Sequence, residues 1–101
     1  MNRRSFSQSV KTTLIDYFKD IIYKFLIAPS RSKEFSAEFY NLAKEIRKKS
    51  EKDIKTISEL AAKFLVNELD KKQKDFNNIS DRESESLFKK SIKRAYKKIQ
   101  R

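Results

Sequence analysis

The stretch 14-LIDYFKDIIYKFLIA-28 reads as one face of a helix. Leu14, Phe18, Ile21 and Phe25 fall at i, i+4, i+7 and i+11, and Ile15, Ile22 and Leu26 widen the stripe. A recurrence near 3.6 residues, and not near 2, selects helix over strand. Asp16, Lys19, Asp20 and Lys24 interrupt the apolar residues, so the segment is neither a signal-peptide h-region nor a bilayer span. Pro29 disfavours helical geometry in the residue before it. The helix is therefore expected over about residues 9–28, with 29-PSRS-32 as connector and residues 1–8 frayed.

Three more segments repeat the pattern downstream. Ser32 is the expected N-cap of a second helix over about 33–49, with Glu34 in its first turn. Its stripe is Phe35, Phe39, Leu42 and Ile46, with Ala43 beside it, and Arg47, Lys48 and Lys49 close it at the negative end of the dipole. Ser50 is the expected cap of a third helix over about 51–70. Ile54, Ile57, Ala61 and Phe64 form one row of it, and Leu60, Leu65 and Leu69 the adjoining one. That helix is expected to fade in 70-DKKQKDFNN-78, where Asn77 and Asn78 can adopt the left-handed conformation. In 80-SDRE-83, Ser80 with Glu83 three residues on is a capping box, opening a fourth helix over about 81–99. Short connectors between four such helices predict an all-α fold, an antiparallel up-down four-helix bundle forming one domain over 1–101.

Composition narrows the chemistry. The 101 residues contain no Cys, no His and no Gly. Disulfides, thiolate or imidazole metal sites, His-dependent triads and glycine-rich phosphate loops are thereby excluded, and no metal or cofactor is expected. Asp16 and Asp20 share one helix face, yet the His partners of a diiron bundle are absent, so a solvated face is the expectation and an enzyme is not. Tyr17, Tyr23, Tyr40 and Tyr96 are expected at stripe edges with wet hydroxyls. With no export signal and no Cys, the expected compartment is the cytoplasm.

The net charge of +11 is uneven. Residues 51–78 hold 6 basic and 6 acidic groups, whereas 79–101 hold 8 and 3. The end of the chain, 87-LFKKSIKRAYKKIQR-101, concentrates it. At about 100° per residue, Ile92, Ala95 and Ile99 lie within about 40° of Phe88, and the cations fill an arc from about 100° to 280°. The candidate binding residues are Lys89, Lys90, Lys93, Arg94, Tyr96, Lys97, Lys98 and Arg101. Such a face suits an anionic membrane leaflet, an acidic protein or nucleic acid. Nucleic acid is the weaker fit, because only Tyr96 is in reach for base stacking and no helix-turn-helix turn is visible.

The order of segments carries a resemblance. The stretches 15-IDYFKDIIYKFLIAPSRSKEFSAEFYNLAKEI-46, 53-DIKTISELAAKFLVNEL-69 and 79-ISDRESESLFKKSIKRAYK-97 together resemble the immunity proteins of class IIa (pediocin-like) bacteriocins, the enterocin A immunity family of Gram-positive bacteria. The likeness rests on the Pro/Ser loop after the first helix, the Glu-Phe entry to the second, the Leu60-Ala61 pair in the third and the Ser-led, basic-ended fourth. It implies a non-enzymatic role. Family members act from the cytoplasmic side on the mannose phosphotransferase permease with its bound bacteriocin, and their C-terminal half sets which peptide is recognised. Here that half is segments three and four with the loop 70–79, and the basic arc would face the permease or the anionic inner leaflet. The alternative reading is a small basic nucleic-acid-binding accessory protein of plasmid or phage origin.

Overall fold

The structure, a computed structural model, describes residues 6–72 and 78–100. Four α-helices account for most of them, with no strand among the described residues: α1 (Gln8–Ile27), α2 (Ala37–Lys49), α3 (Ile54–Lys72) and α4 (Asp81–Ile99). None of these helices is long and apolar enough to cross a membrane. Helix α1 starts where Ser7 accepts a hydrogen bond from the Val10 N–H at 3.2 Å, and stops at Ala28, as Pro29 requires. The expectation of fraying through residue 8 is corrected at its inner end. Ser7 is the cap, Phe6 packs against the core, and the Phe6 N–H donates to Asp70 Oδ1 at 2.8 Å. Residues 1–5 lie outside the described residues, as do 73–77 with Asn77.

Two helix starts differ from the sequence reading. Ser32 does not cap α2. It ends a 3-10 turn over Pro29–Ser32, is fully buried, and donates its hydroxyl to the Pro29 carbonyl at 2.6 Å. The cap is Ser36, which accepts from the Phe39 N–H at 3.2 Å, so the first-turn acid is Glu38 and not Glu34. Aromatic packing accounts for the delay. The Phe35 ring meets Phe25 edge-on at 5.4 Å and stacks on Phe39 at 5.0 Å, which fixes residues 33–36 as a turn over the end of α1. Ser50 likewise makes no side-chain cap, and Glu51–Asp53 form a second 3-10 turn before α3 begins at Ile54. The fourth helix begins as read, with the Glu83 N–H donating to Ser80 Oγ at 3.1 Å.

Helix α3 is the centre of the molecule, packing extensively on α1 and on α4. Its buried set includes Ser58, Ala62 and Val66 as well as Ile54, Ile57, Ala61, Leu65 and Leu69. Phe18, Ile22 and Leu26 of α1, Phe39, Ala43 and Ile46 of α2, and Leu87, Phe88, Ile92 and Ala95 of α4 join these residues in one hydrophobic core. In α1 the fully buried row is thus 18–22–26, while Leu14, Ile21 and Phe25 lie at its edge. Burying one Leu, Ile or Phe side chain contributes about 1.5–3 kcal/mol, which makes this shared interior the main source of stability.

The path of the chain sets the direction of α3. Arg47 near the end of α2 donates to the Ile27 carbonyl at the end of α1, and Ile27 shares a surface cleft with Glu51, Ile54 and Lys55. The chain therefore enters α3 at the end where it left α1. At the other end, Lys11 Nζ sits 3.2 Å from Asp70 Oδ2, beside the Phe6 contact. Helix α1 thus touches α3 near both of its ends, through Lys11 with Asp70 and through Ile27 beside Ile54.

Candidate functional site

The candidate surface is the outer side of α4, and local sequence rules build it. Ser80 caps the helix, Asp81 and Glu83 occupy its positive end, and Lys97 and Lys98 its negative end. Phe88 fixes the rotation of the helix by meeting Phe18 at 5.8 Å and Phe25 at 6.4 Å, both edge-on. With Leu87, Phe88, Ile92 and Ala95 turned inward, Lys90, Lys93, Arg94, Lys97 and Lys98 are exposed.

The eight residues singled out from the sequence do not form one equivalent set. Lys90, Lys93, Lys97 and Lys98 stand exposed and, among the described residues, make no ion pair. Lys89 is only partly exposed and bonds the Glu38 carboxylate of α2. Nearby, Glu85 accepts from the Ser36 N–H at 3.2 Å, so α4 grips the start of α2 at two points. Arg94 lies over the Phe64 ring of α3 at 4.1 Å from its centroid. That contact spends one face of the guanidinium within the fold. Arg101 lies outside the described residues.

Tyr96 is a correction. It is 5 % exposed, and its hydroxyl has no hydrogen-bond partner in the protein. Its ring belongs to the core, because the apolar arc of α4 extends one position beyond the Phe88–Ile92–Ala95 row. A reachable aromatic with a wet hydroxyl is therefore missing from this face.

The Glu38 carboxyl is held below the usual carboxylate range. The Lys89 hydrogen bond is the main cause, followed by the Lys89 charge; slight desolvation opposes, and the Lys93 charge adds a little. Some cations of the remaining helices are paired. Lys11 pairs with Asp70, Lys19 with Asp16, Lys24 with Asp20, Lys49 with Glu45 and Lys72 with Glu68. Asp16 and Asp20 thus hold lysines of their own helix. No group of three or more acidic side chains that could hold a metal ion occurs among the described residues. Sequence reasoning missed Glu38–Lys89 and Phe64–Arg94, since both join residues on different helices and no local signal marks them.

Among protein-family models, curated proteins and solved structures, none matches this chain.

Proposed function

We propose that this chain is a binding protein that works through the basic face of α4, in the role of the bacteriocin immunity proteins that its sequence resembles. In that role it stays in the cytoplasm and engages a mannose phosphotransferase permease carrying a pediocin-like peptide, with the anionic inner leaflet as a secondary contact. The carrying observation is that Lys90, Lys93, Lys97 and Lys98 stand together on one exposed face of α4 and, among the described residues, make no ion pair. Unpaired surface charge steers encounter with an oppositely charged partner, and it is screened by salt. The same reading takes the helices as an antiparallel up-down four-helix bundle, for which the all-helical fold with one shared core is the support. Nucleic-acid binding by this face is disfavoured, because its one candidate for base stacking, Tyr96, is buried.

Expression of the chain in a sensitive Gram-positive strain, challenged with a panel of pediocin-like peptides, tests the proposal. Protection against one or a few peptides is expected. Reversing Lys90, Lys93, Lys97 and Lys98 to Glu should abolish it without unfolding the protein, since all four side chains are exposed. Undiminished killing by every peptide defeats the immunity role. Protection that survives the charge reversal defeats the assignment to α4.

A further inference from the structure

We propose a second binding surface, on α2, which takes single-stranded nucleic acid with Tyr40 as its stacking platform. This inference is independent of the immunity role. Two lysines from different parts of the chain converge on the Tyr40 ring. Lys33, just after the first 3-10 turn, places Nζ 5.8 Å from the ring centroid, and Lys44, one helical turn along α2, places it at 5.1 Å. Lys48 continues the row one turn further. Tyr40 is half-exposed, whereas Lys33, Lys44 and Lys48 are exposed. Among the described residues none of these three lysines makes an ion pair. Their neighbours are committed: Arg47 to Glu51 at 3.4 Å and Lys49 to Glu45 at 3.9 Å.

The chemistry of the cluster selects the ligand. Two ammonium groups gathered on one ring repel each other, and a phosphate between them relieves that repulsion. A surface aromatic among cations is the combination that binds unpaired nucleotides: the base stacks on the ring and the backbone meets the charges. A stacking base displaces one lysine from the ring face, and that lysine turns to the adjacent phosphate. Duplexes keep their bases stacked on one another and cannot use the ring. An acidic polypeptide would satisfy the lysines but leave the ring without a role.

Anisotropy of a labelled oligothymidylate titrated with the full chain, from about 20 to 200 mM salt, tests this. Three lysine contacts predict a log–log salt slope of about −2. Tyr40→Leu should weaken binding about tenfold or more at fixed salt while keeping the slope, and Tyr40→Phe should keep both. Lys44→Gln with Lys48→Gln should flatten the slope by about 1.4. Absence of binding at the lowest salt overturns the proposal. So does equal affinity of the wild type and Tyr40→Leu, equal affinity for duplex, or equally good competition by polyglutamate. Circular dichroism confirms that each variant is folded, and the Tyr40→Phe and double-lysine variants keep the test decisive should Tyr40→Leu fail to fold.

Discussion

Helices α3 and α4 are both 19 residues long, yet they serve opposite ends of the same design. Helix α3 lies between α1 and α4 and buries a wide arc, down to small residues such as Ser58, Ala61 and Ala62. Helix α4 covers one edge, buries a narrower stripe and turns its cations outward. Stability therefore concentrates in α3 and charge in α4. The sharpest way to break this contrast is a pair of truncations. Leu65→Ala on α3, at a site with no exposure, is expected to cost about 2–5 kcal/mol, because the packed helices on either side cannot collapse into the cavity. Lys97→Ala on α4 should stay within about 0.5 kcal/mol. Urea unfolding measures both. A Leu65→Ala loss below about 1 kcal/mol would mean that α3 is not the centre of the core.

The same contrast explains what could be read from the sequence. The amphipathic period of α4 and its Ser80–Glu83 box were legible because an edge helix shows its environment in its own pattern. The breadth of α3 was not, since Ser58 and Ala62 carry little hydrophobic signal and are buried by neighbours distant in sequence. The start of α2 was misplaced because two serines compete for one cap. Ser32 satisfies its hydroxyl on the Pro29 carbonyl, and the choice falls to Ser36 through the packing of Phe35. At the candidate site, composition and period located Lys90, Lys93, Lys97 and Lys98. They could not foresee that Glu38 takes Lys89 or that Phe64 takes Arg94, because both depend on which helices become neighbours.

Tyr96 sharpens the comparison at intermediate scale. A buried hydroxyl without a protein partner costs free energy that the ring contacts must offset. Tyr96→Phe should therefore leave stability unchanged or raise it by up to about 1 kcal/mol, the reverse of the usual sign for a core substitution. The unfolding midpoint reads this directly. A loss larger than about 1 kcal/mol would show that the hydroxyl has a partner after all and that the inner side of α4 is more polar than its packing implies.

The smallest effect belongs to the exposed bridge between α2 and α4. Its sign follows from the lowered ionisation of Glu38, which Lys89 produces first by its hydrogen bond and then by its charge. A carboxyl whose folded pKa lies below its unfolded value contributes stability above the unfolded value, and loses that contribution as pH falls through the folded one. Wild type should thus be slightly more stable than Glu38→Gln at neutral pH, and the gap should close as acid protonates Glu38 in both states. Salt should narrow the gap as well, because the Glu38 side chain is 63 % exposed and its partner is screened there. Paired urea titrations at neutral and acid pH, with and without added salt, test this. A difference that persists in acid or in high salt would mean that Glu38 supports the start of α2 by something other than its charge. The two-point grip of α4 on α2 would then rest on the Glu85 contact with the Ser36 N–H alone.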